Sequence, residues 1–282
     1  MLKNLNTGAI GIRSTLSEAL EMAQTHDFDG VDFSIAEIAS LAGATSLDEV
    51  KQLFDRAGRR PGTWGLPVDF RGEEQKWKED LDALRSHAAL ASAIGADRTA
   101  TYIIPFSNDL SFDENYAFHV NRLKPMVTIL HEYGIRFGLE FIGPKTLRAD
   151  KRHEFIHTMD GMFALCADLG PNTGLLLDLY HWYTSHGTQA DLDNLTNQQV
   201  VAVHVNDAPS GIPVDQQMDL VRCLPCETGV MDIGQFLKAL QRIGYDGPVT
   251  VEPFSKRLNA MASSDALKET ALSLKKAWAA MG

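Results

Sequence analysis

Short runs of apolar residues alternate with longer amphipathic stretches along the whole chain. Eight of these runs are nearly continuous and contain β-branched residues, which is typical of strands buried on both faces. The predicted strands are residues 7–12, 30–35, 62–67, 98–104, 135–142, 173–179, 200–206 and 248–254. The predicted helices are residues 15–26, 46–58, 73–95, 112–134, 154–170, 188–196, 231–244 and 264–281.

The regular alternation of eight strands with helices predicts a (β/α)8 TIM barrel that forms a single domain over residues 1–282. A doubly wound open sheet is the competing fold, and it would carry a GxGxxG loop after its first strand. The chain has GAIGIRS there, which lacks that spacing. In a barrel, the side chains that carry the chemistry lie at the C-terminal ends of the strands.

Each of the last four predicted strands carries one metal-ligating residue type near its C-terminal end. They are Glu140 in GLEFIG, Asp178 in LLLDLYH, His204 in VAVHVND and Glu252 in VTVEPF. Any one of them alone has a structural interpretation, such as a helix cap or an ion-pair partner. A charge in a buried strand is costly unless it is paired or bound to a metal. Four on consecutive strands therefore predict a site for one divalent cation.

Charge and cysteine content narrow the class of protein. The net charge of −11 argues against a protein that binds the nucleic acid backbone, and no run of 18 apolar residues predicts a membrane span. No apolar leader follows the N-terminus, and three cysteines cannot form a disulfide framework, so we expect a reducing, cytoplasmic compartment. Cys223 and Cys226 form a C-x-x-C without a second pair, which we interpret as two unlinked thiols.

Several segments resemble one known family. EFIGP, LLLDLYHWY, HVND, RCLPCETGVMDI and GYDGPVTVEPF are similar to the xylose isomerase-like TIM barrel superfamily of sugar and cyclitol isomerases and epimerases, which also includes endonuclease IV. The resemblance to this superfamily spans the whole chain and is sharpest over residues 135–256. Within it, the chain most resembles inosose (2-keto-myo-inositol) isomerases and ketose 3-epimerases. The resemblance implies that the four candidate ligands hold one divalent cation, with Mn²⁺ preferred and Zn²⁺, Co²⁺ or Mg²⁺ as alternatives.

The resemblance also implies a reaction. Glu140 and Glu252 would be the acid/base pair that moves a proton beside the carbonyl of a keto-sugar or keto-cyclitol, through an enediolate that the cation stabilises. A lyase similar to inosose dehydratase would use the same cation and expel a β-hydroxyl, and the sequence leaves this alternative open. The expected partner is a small molecule, neither nucleic acid nor membrane, and the chain allows a homodimer.

Two other classes fit less well. An endonuclease IV-like DNA repair enzyme would need extra histidine ligands after the third and fourth strands, and the sequence has none there. A non-enzymatic binding module would not need two buried carboxylates beside a cation.

Further candidates carry weaker signals. The predicted substrate-binding residues are His181, Arg222, Trp64 and Lys145, and the residues predicted to orient a metal ligand are Asn206 and Asp207. His181 and Arg222 match positions that contact substrate oxygens in the family that the chain resembles. Trp64 lies near a strand end, where its ring suits the apolar face of a sugar.

Lys145 belongs to the basic loop 143–155. This loop would either reach an anionic group of the substrate or be a solvated segment of the surface. The segment after Arg222 departs from the family's P-G-x-G pattern, because Cys226 stands in place of a glycine. We expect this change to alter one wall of the pocket.

Overall fold

Eight parallel strands close into a barrel in the computed structural model, which describes residues 1–282. Each strand pairs with its neighbours in the chain, and the first pairs with the last. The strands are β1 (Leu2–Leu5), β2 (Gly30–Phe33), β3 (Arg60–Gly65), β4 (Arg98–Ile103), β5 (Arg136–Phe141), β6 (Thr173–Asp178), β7 (Val200–Val205) and β8 (Pro248–Val251). The predicted TIM barrel is confirmed.

Helices follow the strands, with extra short elements at the loops. The helices are α1 (Leu16–Thr25), α2 (Ile35–Ala44), α3 (Leu47–Ala57), α4 (Glu74–Ala93), α5 (Phe112–Glu132), α6 (Met159–Leu169), α7 (Leu179–Thr184), α8 (Gln189–Asp193), α9 (Ile233–Arg242), α10 (Lys256–Asn259) and α11 (Ser263–Ala279). Phe106–Ser107 and His153–Glu154 form a small antiparallel pair outside the barrel. None of the helices has the length and apolar composition needed to cross a membrane.

The first predicted strand, residues 7–12, is wrong. The observed strand is Leu2–Leu5, and Gly8–Ile10 forms a short 3₁₀ turn that ends at Gly11 with φ +77°. Left-handed backbone of this kind suits glycine in a turn and interrupts a strand. Ile10 and Ile12 are nevertheless buried in the core. The apolar run at residues 7–12 therefore indicates buried side chains but does not indicate a strand.

Other predicted elements differ at their boundaries. The predicted strands 30–35 and 173–179 run into α2 and α7, which the sequence pattern did not predict as helices, nor did it predict α10. The predicted helix 154–170 begins only at Met159, because His153–Glu154 pairs with the strand at Phe106. An apolar strand that leads directly into an apolar first helical turn shows no change in hydrophobicity at the boundary.

His119 on α5 is an ionisable residue in the apolar shell around the barrel. Its ring stacks on Phe155 with centroids 4.9 Å apart and meets Phe70 and Phe118 edge-on. Its Nδ1 donates to the carbonyl of Asn115 at 2.8 Å. Burial lowers the pKa of His119 to about 4, so the folded protein holds this imidazole neutral at neutral pH.

We predict that acid destabilises the protein through His119. The unfolded chain binds this proton near pH 6.5 and the folded chain only near pH 4, so stability falls as the pH drops between them. The free energy of unfolding from this residue should fall by about 2 kcal/mol between pH 7 and pH 5. Urea unfolding of wild type and His119→Phe at both pH values measures it. An equal pH dependence in the two proteins would contradict the prediction.

Candidate metal centre

The structure brings together the four residues predicted as metal ligands. Glu140 and His204 are the fifth residues of β5 and β7, Asp178 ends β6, and Glu252 directly follows β8. Asp178 is paired with His204 in the register of β6 and β7. One potential ligand atom from each of the four lies within 4.8 Å of all the others. Adjacent parallel strands thus converge on one cluster at the C-terminal mouth of the barrel.

The distances within the cluster leave space between the side chains. His204 Nδ1 lies 3.4 Å from Glu252 Oε2, 3.6 Å from Glu140 Oε1 and 3.8 Å from Asp178 Oδ2. His204 Nδ1 and Glu140 Oε1 are both buried without a hydrogen-bond partner. Buried polar atoms left unpaired are costly, and a cation between them would satisfy both lone pairs. Three carboxylates and one imidazole suit a hard or borderline divalent cation, so these residues fit such an ion.

Burial and neighbouring charges shift the pKa values of the cluster residues in different directions. Burial raises the pKa of Glu140 to about 7, and the negative charges of Glu252 and Asp178 act in the same direction. Burial also disfavours the charged form of Glu252, but the positive charges of His204 and Arg222 outweigh it and hold the pKa of Glu252 below its ordinary range. The neighbouring carboxylates raise the pKa of His204 although burial opposes this. Cation binding would therefore compete with protons at these side chains.

Arg222 is the buried counter-ion of the cluster. Its Nη1 donates to Asp178 Oδ2 at 2.7 Å and to Glu252 Oε2 at 3.0 Å. Its Nε and Nη2 donate to the carbonyl and the carboxylate of Asp219, each at 2.9 Å. The remaining N–H faces His181 Nε2 at 3.1 Å. The guanidinium is thus held by the protein's own acceptors, and its role as a substrate contact stays a prediction.

His181 lies beside the cluster in the first turn of α7. It is 1% exposed, and burial lowers its pKa to about 4, so the ring is neutral. A neutral imidazole accepts at one nitrogen only. Because arginine only donates, Nε2 accepts from Arg222 at 3.1 Å and the proton lies on Nδ1, 3.3 Å from the Gly143 nitrogen. Nε2 also lies 3.9 Å from Glu140 Oε1. Its contact with substrate stays a prediction.

Gly143 and Asp219 are parts of the site that the sequence reasoning missed. A Cβ on Gly143 would lie 2.2 Å from the carbonyl oxygen of His181, so only glycine lets the chain after β5 approach α7 this closely. Gly143 stands in the EFIGP segment, where a glycine after an apolar strand was a visible signal. Asp219 lies three residues before Arg222 in an irregular loop, and no pattern marked it.

Asn206 holds the carboxylate of Asp178, one of the candidate metal ligands. Its Nδ2 lies 3.2 Å and 3.3 Å from the two carboxylate oxygens of Asp178 and 3.3 Å from the carbonyl of Glu252. Asp178 Oδ1 also accepts the N–H of Tyr180 at 2.6 Å and so caps α7. The carboxylate is therefore fixed by the helix it begins and by the strand beside it.

Asp207 forms hydrogen bonds with the backbone of the loop before α9. Its carboxylate accepts backbone N–H groups of Thr228 at 3.0 Å, Gly229 at 2.7 Å and Met231 at 3.2 Å. It therefore orders the loop before α9. In the same loop Cys226 has φ +60°, a backbone conformation that favours glycine. Cys223 and Cys226 are separate thiols.

The other predicted substrate contacts lie at different distances from the cluster. Trp64 is fully buried and lines a cavity of about 590 Å³ that His204 also lines. Lys145 is exposed and pairs with Asp215 Oδ2 at 3.1 Å, and it does not line this cavity. In the same basic loop, Arg148 donates to the carbonyl of Gly143 at 2.7 Å. The structure thus brings Trp64 to the site and leaves Lys145 at the surface.

Asp32 is a further cavity residue that the sequence reasoning missed. Its Oδ1 accepts from Asn4 Nδ2 at 2.6 Å and from the N–H of Thr63 at 2.7 Å, and its Oδ2 accepts from Asn6 Nδ2 at 3.2 Å. Burial raises its pKa to about 6 although these hydrogen bonds oppose the shift. An acidic residue inside the apolar run GVDFSI was the same signal that identified the four cluster residues.

This chain is similar to known proteins in sequence and in fold. The chain matches the family described as xylose isomerase-like TIM barrel over residues 20–277. It belongs to that family. An inosose isomerase of Halalkalibacterium halodurans is 23% identical over 258 residues, which are 90% of this chain and 88% of that protein.

Two further relatives widen the comparison. A 3-dehydroshikimate dehydratase of Pseudomonas putida is 25% identical over 89% of this chain, but the match spans only 38% of that protein. The crystal structure of the IolI protein with a bound zinc atom superposes with a TM-score of 0.79, at 19% identity over 98% of both chains. The relatives of this chain thus include proteins named as an isomerase and as a dehydratase.

We predict that Asn206 supports cation binding. Asn206→Ala removes the amide that holds Asp178, and loss of such a supporting contact lowers metal affinity by about 10- to 100-fold. Calorimetric titration with Mn²⁺ and Zn²⁺ measures this. Asn172→Ala is the matched control, since Asn172 Nδ2 also bonds two acceptors, Val127 O and Ile135 O, away from the cluster. Equal affinities in the two variants would contradict the role of Asn206.

We predict that a divalent cation compensates for loss of Arg222. Arg222→Met leaves two buried carboxylates without their counter-ion and should lower the stability of the metal-free protein by about 3 kcal/mol. Saturating Mn²⁺ should then raise Tm more in this variant than in wild type. Arg98→Met is the control, because Arg98 is a buried arginine paired with Asp246, away from the cluster. Equal Mn²⁺-induced shifts in all three proteins would refute the compensation.

Proposed function

We propose that the protein is a divalent-metal-dependent isomerase or epimerase of a keto-sugar or keto-cyclitol. The observation that carries this proposal is the pair of glutamates, Glu140 and Glu252, in one cluster beside a cavity of small-molecule size. The family and the relatives named as inosose isomerases support it. Glu140, Asp178, His204 and Glu252 would hold the cation.

A cation bound by these residues would polarise a substrate carbonyl and so lower the cost of removing the neighbouring proton. The remaining steps belong to the side chains of the chain itself. With Oε1, which has no hydrogen-bond partner, facing the cation, Glu140 would accept or return a proton at its other oxygen, Oε2. Glu252 enters from β8, three strands away from Glu140 on β5, so the two carboxylates reach a bound substrate from different sides. One would take the proton, and the other would return a proton to the adjacent carbon or the opposite face.

Other side chains would orient the substrate. His181 is neutral and its Nε2 accepts from Arg222 at 3.1 Å, so this ring would position the guanidinium beside the substrate. Arg222 holds Glu252 Oε2 in place at 3.0 Å. The buried Trp64 gives the cavity an apolar wall, against which a ring or carbon chain would lie.

A lyase reaction is the second candidate, since a dehydratase of Pseudomonas putida is 25% identical to this chain. It would begin with the same proton abstraction by one glutamate. It would end with loss of water from the neighbouring carbon, so the products distinguish the two reactions.

Solvent-deuterium exchange tests the proposal. The Mn²⁺-loaded protein in D₂O should place deuterium beside the carbonyl of one member of a panel of 2-keto-inositols and ketohexoses, as observed by NMR. Glu140→Gln and Glu252→Gln should each lower the exchange rate by about 100-fold or more, because each removes a proton-transfer group. Exchange accompanied by loss of water would favour the lyase.

Matched variants separate proton transfer from metal loss. Asp178→Asn removes a candidate ligand carboxylate but no proton-transfer group, so at saturating Mn²⁺ it should retain far more exchange than the glutamate variants. Glu269→Gln, at a surface ion pair with Arg257, should leave exchange unchanged. No exchange with any panel member, or full exchange in Glu140→Gln, would overturn the proposal.

A further inference from the structure

The cavity beside the cluster is also lined by an aspartate on the opposite half of the barrel. His204 on β7 and Asp32 on β2 line the same cavity. A carboxylate offers about four lone-pair sites, and Asp32 receives three hydrogen bonds from the protein. Two of these fall on Oδ1 and only one, at 3.2 Å, on Oδ2. Asp32 Oδ2 therefore retains acceptor capacity for a group in the cavity.

The charge of the cavity wall is mostly negative, with His204 as its one basic side chain. None of the twenty residues that line it is lysine or arginine, and two of them, Asp32 and Glu37, are acidic. The other polar lining residues include the neutral groups of Asn6, Ser14 and Thr63. Arg222, the cation of the neighbouring cluster, is engaged by Asp178, Glu252 and Asp219. Hydroxyl groups match this wall, whereas an anionic ligand would face the Asp32 carboxylate, and the wall has no lysine or arginine to offset that repulsion.

We propose that Asp32 is a specificity-determining residue that accepts hydrogen bonds from hydroxyl groups of a neutral polyol and rejects ligands that carry a carboxylate or phosphate. This inference rests on the proposed function and names the substrate class within it. It selects a neutral ketose or keto-cyclitol over an acidic ring compound such as 3-dehydroshikimate. Asn4, Asn6 and the backbone N–H of Thr63 hold the carboxylate in position from one side.

Asp29 provides a matched control on the same segment. Its Oδ2 accepts the backbone N–H of Lys3 at 2.8 Å, so it also ties the β2 segment to β1. It does not line the cavity. Asp29→Asn and Asp32→Asn therefore make the same chemical change three residues apart, one outside the cavity and one inside it.

Binding of two unreactive ring polyols tests the inference without turnover. Calorimetry on the Mn²⁺-loaded protein at pH 8 compares myo-inositol, which is neutral, with quinate, which carries a carboxylate. We expect wild type to bind quinate at least about 10-fold more weakly than myo-inositol. Asp32→Asn should weaken the binding of myo-inositol by about 10-fold, since a hydrogen bond to a charged acceptor is lost. It should also narrow the difference in affinity between myo-inositol and quinate. Asp29→Asn should change neither.

Three outcomes would overturn the inference: equal affinities of wild type for the two ligands, no binding of either, or unchanged affinities in a folded Asp32→Asn. If Asp32→Asn does not fold, Ser34→Lys replaces it. Ser34 lines the cavity, caps α2 without a side-chain bond, and a cation there should strengthen quinate binding. If Ser34→Lys binds quinate as weakly as wild type does, the inference about Asp32 is overturned.

The same experiments distinguish this failure from failure of the proposed function. If deuterium exchange occurs but Asp32→Asn leaves KM for the keto substrate unchanged, only the inference about Asp32 fails. If no panel member exchanges while myo-inositol binds in an Asp32-dependent manner, the reaction fails and the polyol-binding role stands.

Discussion

The burial of three carboxylates at one mouth of the barrel is the constraint on which the site depends. Two like charges 4 Å apart repel by about 4 kcal/mol at the effective dielectric of a protein surface. Arg222 offsets part of this repulsion through its bonds to Asp178 and Glu252, and His204 contributes a second positive charge when protonated. Glu140 Oε1 stays unpaired even so. A cluster with this imbalance fits a divalent cation.

The supporting structure explains why the cluster keeps its shape. Asp178 ends a strand, caps the next helix and accepts from Asn206, so three separate elements fix one carboxylate. Gly143 lets the segment after β5 lie against the carbonyl of His181. A small displacement of α7 would therefore move both Asp178 and His181. The precision of the site comes from contacts between neighbouring strand–helix units, since no single unit contains it.

The two halves of the barrel have different parts in the site. Strands β5–β8 supply the buried charges, whereas strands β1–β4 supply Asp32, Thr63 and Trp64 of the cavity. This division separates the groups that would move protons from those that would select the substrate.

The sequence by itself determined the barrel, seven of its strands and the four cluster residues. These are local signals, because a charge within an apolar strand is visible wherever the strand lies. The first strand was misplaced since Ile10 and Ile12 are buried without being extended. Only the tertiary structure decided that Arg222 bonds the cluster, that Asp207 orders a loop instead, and that Asp32 shares a cavity with His204. These relations join residues that are 21 to 172 positions apart, and no periodicity along the chain records which strand ends meet when the barrel closes.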